Sequence, residues 1–525
     1  MSFDLPEYHQ HEEFRNRSHK LHEIKNMGVD PYPHVFKPET NASLIQTTYD
    51  KEAVGHSEEA EQAVTPFVKI AGRLILFRSM GKNAFGHIQD GESKIQVMFN
   101  KQHTHVEGFS PQEELSSLKF IEKKIDLGDI IGVEGHLFRT QKGELTIFVK
   151  KLTLLCKTLL PLPDKHSGLT DKGTRYKKRW LDMINHPEVT STLKLRSAIV
   201  KYIRKYFEKS DFIEVETPIL QNIYGGAEAQ PFTSHLNALD QEMYLRIALE
   251  ISLKKLIVGG LSRVFEISKV FRNEGIDRTH NPEFTMLEAY AAYWDYEDMM
   301  VFVENMVQDL CLEINGTTSL KLIDKEGEEQ TVDFTAPWKR LSMKEAIKVY
   351  GHLDIDVSTD EELKRYLKDK RPPSEHQLIQ NYPRGLLIAK LFEEYVEDHL
   401  IQPHHIIDHP IETTPLCKWH RNPKLKAEGL VERFETFILG KELCNSYTEL
   451  NDPEWQRELL LQQAQKKLDG DAEAHPLDEE FIEAICQGMP PTGGLGIGID
   501  RLVMLITNQR SIRDVIYFPI MRPGE

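Results

Sequence analysis

The chain has 525 residues, of which 40% are hydrophobic and 28% charged, so we expect a soluble protein with at least two domains. Its five cysteines are scattered without a CxxC pair, which argues against a disulfide framework or a zinc ribbon and favours a reducing compartment. The sequence shows neither a basic, apolar leader nor a stretch as long as a membrane span, so we expect a cytoplasmic protein without membrane contact.

The formal net charge is −17, but positive charge is concentrated in two segments. Residues 66–160 contain fourteen Lys and Arg against ten Asp and Glu, and residues 161–205 contain eleven against four. Because salt screens charges beyond about 8–10 Å, a local basic surface can bind RNA although the whole chain is acidic. Residues 1–65 are expected to form a helical extension, in which an amphipathic helix over 11–28 either packs on its neighbour or contacts RNA.

Short stretches that alternate apolar and polar residues, broken by glycine, occupy residues 66–158. They predict five strands, which lie at 68–75, 84–90, 94–99, 130–137 and 145–149. Five strands in so short a segment fit a small closed barrel of the oligonucleotide-binding (OB) type. The proline-rich residues that follow begin a hinge or linker, which we expect over residues 159–182.

Residues 183–525 are expected to form an α+β domain. Apolar residues at helical spacing predict a long helix, namely Leu195, Ile199, Ile203 and Phe207. A strand at 212–216 and Pro218 follow that helix. Helix-forming residues between about 340 and 400 predict a helical insertion, and elements segregated in this way indicate an antiparallel sheet.

Two short segments carry the strongest chemical signal. Residues 271–285 predict a strand, a turn and a returning strand, whereas residues 494–501 predict a glycine-rich strand that leads into a helix. Arg272 offers a planar guanidinium to an oxyanion, and Phe284 offers a flat face to a purine. The sequence contains no GxxxxGK[ST] pattern, so a nucleotide would be bound without a P-loop.

These segments resemble the second and third signature motifs of the class II aminoacyl-tRNA synthetases, and the helix and strand before Pro218 resemble the first. The class I signatures HIGH and KMSKS are absent. The closer resemblance is to the class II lysyl-tRNA synthetases, from about residue 12 to the C-terminus. It implies a homodimeric, Mg²⁺-dependent ligase that activates L-lysine with ATP to lysyl-adenylate and transfers it to the 3′ end of tRNA(Lys).

The resemblance also implies a set of ATP-binding residues. They are Arg272, Glu274, His280, Asn281, Phe284 and Arg501, of which Arg272 and Arg501 are also the implied catalytic residues. Arg272 would hold the α-phosphate and the amino acid carboxylate, while Phe284 and Arg501 would lie on either side of the purine. His280 would reach the terminal phosphates, and Glu274 would contact adenine.

Acidic residues predict a magnesium site and a pocket for a cation. Glu435 and Glu442 lie on a predicted strand–turn–strand, where they either converge on one Mg²⁺ or remain solvated acids. Glu250, Glu288 and Glu449 lie in apolar or sheet-forming segments, where acids almost never remain unpaired. Three such acids suit a dicationic amino acid. The alternative is a set of structural salt bridges with Lys254, Lys255 or Arg246.

By resemblance, the lysine-binding residues are Gly226, Glu250, Arg272, Glu288, Tyr290, Asn445 and Glu449. Glu250 would take the α-amine, and the ε-ammonium would lie near Glu288 and Glu449. Leu249 stands where the family usually has proline, and Gln230 stands where arginine is common.

In the barrel, the residues that match the family's anticodon-reading surface are Arg73, Arg78, Phe85 and Gln96. An aromatic face stacks on an unpaired base and an amide pairs with a base edge. Three other functions are considered for this sequence. A ligase that lysylates proteins should lack the barrel, and an RNA-binding relic should have lost ATP residues. An aspartyl or asparaginyl synthetase should lack the acids at Glu288 and Glu449.

Overall fold

The computed structural model describes residues 5–49, 54–91, 93–163, 169–468 and 473–522. The chain divides into two units, Met1–Ser191 and Thr192–Gly524. Part of the predicted linker, residues 164–168, lies outside the described residues. Within the described ranges, no helix is both long enough and apolar enough to cross a membrane.

The first unit is built on a closed sheet. Its strands are β1 (Phe67–Met80), β2 (Asn83–Asp90), β3 (Ser93–Asn100), β4 (His105–Val106), β5 (Ile130–Arg139) and β6 (Leu145–Cys156). Antiparallel pairing joins β1 to β2 and β5, β2 to β3, and β5 to β6, while parallel pairing of β3 with β6 closes the barrel. Buried and half-exposed residues alternate along these strands, so that one face forms the core. The predicted five-stranded OB barrel is confirmed, with the two-residue β4 added to it.

The first unit also contains helices, which precede, separate or follow the barrel strands along the chain. They are α1 (Glu12–Asn26), α2 (Ala42–Tyr49), α3 (Ser57–Glu61), α4 (Ser117–Lys124), α5 (Lys172–Lys177) and α6 (Arg179–Asn185), preceded by the 3-10 helix Glu7–Gln10. The buried Arg17 of α1 donates hydrogen bonds to Leu127 O at 3.2 Å and to Thr158 Oγ1 at 2.9 Å. These contacts favour the packing interpretation of the amphipathic helix. The predicted linker contains α5 and the beginning of α6.

A buried ion network holds the end of β6 to the rest of the first unit. Lys157 is fully buried, and its Nζ lies 2.5 Å from Asp126 Oδ2 and 2.8 Å from Asp129 Oδ2. Asp129 also accepts a hydrogen bond from Thr158 N at 2.8 Å. Breaking a buried ion pair leaves an uncompensated charge, which destabilises a fold by about 3–5 kcal/mol.

We therefore expect Lys157→Met to destabilise the first unit by about 3–5 kcal/mol, because the fully buried carboxylate of Asp129 loses its counter-ion, whereas Asp126 keeps Lys20. Hydrogen–deuterium exchange of barrel peptides, resolved by mass spectrometry, would measure this as faster exchange. Lys151→Met is the control, since Lys151 pairs with Glu107 where the two side chains are 44% and 52% exposed. Equal protection in both variants would contradict the prediction.

The second unit contains an eight-stranded sheet in the order β15-β16-β17-β18-β19-β12-β11-β7. Its strands are β7 (Ile213–Glu214), β11 (Arg263–Phe271), β12 (Glu283–Ala292), β15 (Lys339–Ser342), β16 (His404–Pro410), β17 (Leu430–Ile438), β18 (Lys441–Thr448) and β19 (Thr492–Gly498). Smaller sheets contain β8 (Leu220–Gln221), β9 (Thr233–Leu236) and β10 (Gln241–Leu245), and the hairpin β13 (Ser319–Ile323) with β14 (Glu329–Asp333). The six central strands pair antiparallel, which confirms the predicted α+β class. The predicted strand at 212–216 is only the two-residue β7.

Helices flank this sheet. They are α7 (Pro187–Lys209), α8 (Glu250–Val258), α9 (Tyr296–Asn315), α10 (Met343–Tyr350), α11 (Asp360–Lys370), α12 (His376–Gln380), α13 (Arg384–Tyr395), α14 (Pro423–Ala427), α15 (Pro453–Leu468), α16 (Glu479–Cys486), α17 (Ile499–Ile506) and α18 (Ile512–Val515), with 3-10 helices at Pro373–Glu375, Glu397–His399 and Ile411–Thr413. Helices α10 to α13 lie within the predicted insertion. Capping boxes begin α10 at Ser342 and α11 at Thr359, where side-chain oxygens satisfy free amides.

One buried aspartate joins three elements of the second unit. Asp500 Oδ1 lies 2.5 Å from Arg196 Nη1 of α7, and its Oδ2 accepts a hydrogen bond from Thr285 N of β12 at 2.7 Å. Arg196 Nη2 also donates to Thr285 Oγ1 at 3.0 Å. Because Phe284 and Arg501 are the neighbours of Thr285 and Asp500 in the chain, this network fixes the backbone beside both.

Candidate active site

A cavity of about 420 Å³ lies over the centre of the eight-stranded sheet. The sequence-predicted residues that line it are Gly226, Glu250, Arg272, Glu274, His280, Asn281, Phe284, Glu288, Tyr290, Glu442, Asn445, Glu449 and Arg501. Glu435 is not among the lining residues. The predicted ATP and amino acid residues, which are far apart in the sequence, therefore share one cavity.

Strand alternation explains how the second half of this set converges. On β12, Glu288 and Tyr290 project from the same face, and on β18 Asn445 and Tyr447 do the same. Strand β19 lies between them, with glycine at each position opposite these residues. The central strand therefore presents backbone alone, and the side chains of β12 and β18 face each other across it.

Gly494 of β19 is required by close packing. A Cβ atom at this position would lie 1.8 Å from Glu449 Oε1 and 2.8 Å from Tyr290 Cε1. Gly226 has φ of +87°, and a Cβ there would lie 2.9 Å from Glu250 Cβ. Both glycines permit backbone to approach the carboxylates that line the cavity.

Arg272 follows β11 directly and lies at one end of the cavity. Its guanidinium carbon is 5.2 Å from the centroid of the Phe284 ring, and its Nε donates to Ile247 O at 3.3 Å. Burial lowers the pKa of Arg272, yet an arginine remains charged in a protein. A half-buried guanidinium with few partners is suited to bind an anion.

Arg501 lies at the start of α17 and contacts two other predicted residues. Its Nη1 is 3.1 Å from Glu442 Oε2, and its Nη2 is 3.3 Å from His280 Nε2. The other ring nitrogen of His280 is 2.8 Å from Asp277 Oδ2. Partial burial opposes ionisation of Asp277, but hydrogen bonds from His280 and the turn backbone lower its pKa to about 2.

Two members of the predicted ATP set have different environments. Glu274 is exposed in the segment that connects β11 and β12. Asn281 is buried, and its Nδ2 donates to Glu283 O at 2.6 Å, so this amide shapes the turn that carries His280.

Glu288 is a buried carboxyl with two hydrogen bonds. Its Oε1 accepts from Leu249 N at 2.9 Å, and its Oε2 accepts from Tyr290 Oη at 3.1 Å. Burial and the charge of Glu250 raise the pKa of Glu288 to about 7. Leu249 contributes a backbone N–H that a proline at this position would lack.

Glu250 and Glu449 are bridged by a lysine of the chain. Lys254 Nζ forms ion pairs with Glu250 Oε1 and Glu449 Oε2, and Tyr447 Oη donates to Glu250 at 2.8 Å. Within the described part of the chain, Glu449 Oε1 has no hydrogen-bond partner. Burial raises the pKa of Glu449 well above its usual range. Of the salt bridges considered as an alternative, those with Lys254 are therefore present and involve carboxylates that line the cavity, whereas Lys255 pairs with Glu480 and Arg246 with Glu266.

Glu435 and Glu442 lie on neighbouring strands, at a side of the cavity lined by Glu442. Burial and the charge of Glu442 raise the pKa of Glu435, whereas Arg433 opposes this through a 2.5 Å contact with Glu435 Oε1. No group of three or more His, Cys, Asp or Glu arranged for a metal occurs among the residues described. Two neighbouring carboxylates, of which Glu442 lines the cavity, nevertheless fit Mg²⁺, which usually takes one or two carboxylates and completes its shell with phosphate and water.

Two residues that sequence reasoning missed are Arg433 and Tyr447. Arg433 Nε donates to Asn445 Oδ1 at 3.0 Å, and Arg433 also holds Glu435. Tyr447 lies two residues before Glu449 on the same strand face. Asn445, Tyr447 and Glu449 alternate with other residues along β18 and directly after it, and this alternation could have indicated Tyr447. No local pattern indicates Arg433, because its partner Asn445 lies on a different strand.

In the first unit, three of the predicted anticodon residues share one surface of the barrel. Arg78 is paired with Phe85 across β1 and β2, and Gln96 lies on β3 opposite His87. Glu144 Oε2 accepts from Gln96 Nε2 at 2.8 Å, and its Oε1 is 2.9 Å from His87 Nε2. The structure thus adds His87 and Glu144 to this surface.

Arg73 lies further along β1. It pairs with Gln89 of β2, which is two residues from His87, the partner of Gln96. Its Nη1 donates to Gly128 O at 2.7 Å, and burial lowers its pKa. The guanidinium of Arg73 is therefore held by the backbone at Gly128, next to the strand pair that carries Gln96.

Two family models match the chain, one over the barrel and one over the segment that contains the eight-stranded sheet. Residues 171–522 match the family described as tRNA synthetases class II (D, K and N), and residues 68–155 match the OB-fold nucleic acid binding domain. The chain is 58% identical over 518 residues to a lysine–tRNA ligase of Chlamydia felis (strain Fe/C-56), covering 98% of each chain. It is 45% identical over 507 residues to a lysine–tRNA ligase of Staphylococcus epidermidis (strain ATCC 12228 / FDA PCI 1200), covering 96% of this chain and 97% of the relative. It is also 45% identical to the lysine–tRNA ligase of Trichormus variabilis (strain ATCC 29413 / PCC 7937), covering 97% of this chain and 87% of the relative. With its two signature segments in one cavity and this similarity along its length, the chain belongs to the class II tRNA synthetase family.

Proposed function

We propose that the chain is a lysine–tRNA ligase, which activates lysine with ATP and transfers the lysyl group to the 3′ end of tRNA(Lys). The observation that carries this proposal is the single cavity lined by Glu250, Glu288 and Glu449 together with Arg272 and Arg501. Relatives 58% and 45% identical over nearly the whole chain bear the same name.

Charge is the basis of the proposed amino acid specificity. Lysine carries two ammonium groups, and carboxylates in a partly desolvated cavity bind ammonium groups strongly. Glu250 would accept the α-amine, while Glu288 and Glu449 would accept the ε-ammonium beside Tyr290. An aspartate or asparagine side chain offers no cation to these acids, whose remaining negative charge would then have no counter-charge from the substrate.

The first step forms lysyl-adenylate. A carboxylate oxygen of lysine attacks the α-phosphorus of ATP, the bond from that phosphorus to the bridging oxygen breaks, and pyrophosphate leaves. Arg272 would neutralise charge on the carboxylate and the α-phosphate together, with Asn445 beside it. Phe284 and Arg501 would hold the purine between them. Catalysis is then positioning and charge stabilisation, without a nucleophilic side chain.

Glu435 and Glu442 would hold Mg²⁺, with Arg433 fixing the orientation of Glu435. When bound, the ion supplies positive charge to the phosphate groups of ATP. His280 beside Arg501 is placed in this proposal at the terminal phosphates.

The second step uses tRNA. The terminal ribose hydroxyl attacks the carbonyl carbon of lysyl-adenylate, and AMP leaves. The barrel would select the tRNA by its anticodon, with Phe85 stacking on a base and Gln96 pairing with a base edge. Arg78 would add positive charge for the backbone. We infer a cytoplasmic enzyme, in keeping with five free cysteines.

A homodimer is part of the proposal. Apolar side chains on α7 and on the segment after it are exposed, and they are Leu195, Ile213, Ile219 and Leu220. Exposed apolar patches of this kind mark interaction surfaces. A second copy of the chain, related by twofold symmetry, would cover this one.

Lysine alone among the standard amino acids is expected to support rapid ATP–pyrophosphate exchange. Glu449→Gln should weaken lysine by about 2–5 kcal/mol, because it removes one partner of a buried charge pair. Steady-state exchange at varied lysine concentration measures this change. Glu454→Gln on exposed α15 is the control and should match the parent. Equal exchange with aspartate or asparagine would overturn the assignment.

Lysine binding should depend on pH through Glu288, whose pKa is raised to about 7. The ionised carboxylate binds the ammonium, so protonation competes with lysine below that pH. We expect the KM for lysine in exchange to rise by about tenfold per pH unit below pH 7 and to level off above it. The KM for ATP should not follow, and Glu288→Gln should remove the dependence. A flat lysine profile from about pH 6 to 8 would show that Glu288 does not titrate in the pocket.

Phe85→Ala should reduce tRNA charging by about one to two powers of ten, since a stacked base contributes about 1–3 kcal/mol. Exchange without tRNA should stay at the parental rate, because Phe85 lies in the barrel. Changing the middle anticodon base should harm the parent more than the variant. Loss of exchange together with charging would mean that Phe85 serves the fold.

Leu220→Arg is expected to produce monomers at micromolar concentration, because it places a charge in the proposed dimer surface. Sedimentation velocity of the full chain measures this. Leu378→Arg is the matched control, since Leu378 is 56% exposed in the helical insertion and Leu220 is 46% exposed. A fully active parental monomer would refute the dimer.

A further inference from the structure

An ammonium group of the chain itself lies beside the carboxylates that are proposed to bind the substrate lysine. Lys254 is fully buried on α8, one helical turn after Glu250, and its Nζ forms ion pairs with Glu250 and Glu449. Both carboxylates line the cavity. A lysine of the protein therefore bridges two of the three acids assigned above to substrate lysine.

Aromatic rings complete the surroundings of this ammonium. Lys254 Nζ lies 5.6 Å from the centroid of the Tyr447 ring, 6.0 Å from that of Tyr290 and 5.8 Å from that of Phe481 on α16. Rings at these distances stabilise a cation through their negative faces. Burial opposes the charge of Lys254, but Glu250 and Glu449 raise its pKa above the usual range, so it remains an ammonium.

The other titratable groups that face Lys254 are neutral near pH 7. Burial raises the pKa of the Tyr290 and Tyr447 hydroxyls and of the Cys417 thiol well above their usual ranges. Burial and the charges of Lys254 and Lys467 lower the pKa of His475 to about 4. The charges at this end of the cavity therefore belong to Lys254 and to the carboxyls of its neighbours on α8, β12 and the end of β18.

We propose that Lys254 is a permanent counter-ion of the lysine pocket, which stays between Glu250 and Glu449 when the substrate binds. Three carboxylates and one ammonium have a formal net charge of −2, which matches the two ammonium groups of lysine. The inference rests on the proposed function and makes Lys254 a specificity-determining residue that acts through the acids.

Two observations favour a permanent ion over one displaced by the substrate. Lys254 has no exposed surface and is not among the residues that line the cavity, and the ring of Phe481 on α16 lies beside its ammonium. Among the described residues neither carboxylate oxygen of Glu449 has a hydrogen-bond partner, and the ion pair with Lys254 is formed through Oε2 alone. Substrate and Lys254 can therefore use different oxygens of Glu449.

Removal of the counter-ion changes the charge that the substrate meets. Three buried carboxylates without a cation repel one another, which favours retention of a proton among them. Substrate lysine would then have to displace that proton. The charge of Lys254 opposes the effect of burial on Glu449 by lowering the pKa of that carboxyl, and so favours the ionised pocket that two ammonium groups require.

The test compares Lys254→Met with Lys255→Met in lysine-dependent ATP–pyrophosphate exchange over a range of pH. Lys255 is the matched control, because it is the next residue on α8 and pairs at 2.7 Å with Glu480, which does not line the cavity. We expect the KM for lysine of Lys254→Met to rise about tenfold or more at pH 7 and to recover at higher pH. The KM for ATP should change less than about threefold, and Lys254→Arg, which keeps the charge, should retain the parental pH profile.

A parental lysine KM and pH profile in Lys254→Met would overturn the proposal. A lower KM in that variant would also overturn it, because Lys254 would then be a place-holder that competes with the substrate. Loss of lysine-dependent exchange by the parent is a different result, since it would refute the proposed function itself.

A second measurement uses the parental enzyme, so it does not depend on the folding of a variant. The full chain receives a short pulse of excess acetic anhydride with and without saturating lysine, and peptides are analysed by mass spectrometry. Lys255 is the internal reference for reagent consumed by free lysine. We expect acetylation of Lys255 and none of Lys254 under both conditions. Acetylation of Lys254 on lysine addition, or under both conditions, would overturn the proposal.

Discussion

The cost of burying like charges next to one another is the constraint on which the candidate site depends. Glu250, Glu288 and Glu449 line the same cavity and are buried, so that solvent screens their repulsion poorly. The protein offsets part of this cost with the ammonium of Lys254, the hydroxyl of Tyr447 and the amide of Leu249. The negative charge that remains is available to a cationic ligand. Specificity and the cost of assembling the site thus have the same physical origin.

The second requirement is space. Strand β19 carries glycines where β12 and β18 carry Glu288, Tyr290, Asn445 and Tyr447, so that side chains from both neighbours face each other over bare backbone. At Gly494 even one methyl group would overlap Glu449. The same strand leads into α17, where Asp500 is held by Arg196 and by the amide of Thr285. The position of Arg501 therefore depends on a helix that lies far away in the sequence.

The charged residues on the barrel surface differ in burial from the three acids Glu250, Glu288 and Glu449. The barrel's surface residues Arg78, Phe85, Gln96, His87 and Glu144 are partly or fully exposed, where single charges contribute little to stability. The buried Lys157 with Asp126 and Asp129 holds the end of β6. Buried ion pairs in this molecule therefore hold structural elements in place, while exposed charged side chains are accessible to a partner.

Local pattern was sufficient for much of the fold. Alternation in residues 66–158 predicted the barrel strands, and the segments around Arg272 and Gly494–Gly498 predicted a hairpin and a strand leading into a helix, as observed. These signals are local because strand period and turn chemistry are encoded within a few residues. The predicted strand at 212–216 was too long, since pairing with β11 involves only two of its residues.

The sequence by itself determined which residue types are present for the chemistry: the acids, Arg272, Arg501 and the glycines of β19. Only the tertiary structure decided which of them meet. The guanidinium of Arg73 is held by Gly128 O, and Asn281 is turned into the hairpin backbone. Lys254 lies between Glu250 and Glu449 because helix α8 packs with the face that carries Lys254 and Glu250 turned toward Glu449. Such contacts depend on register and packing between distant segments, and no local pattern specifies these.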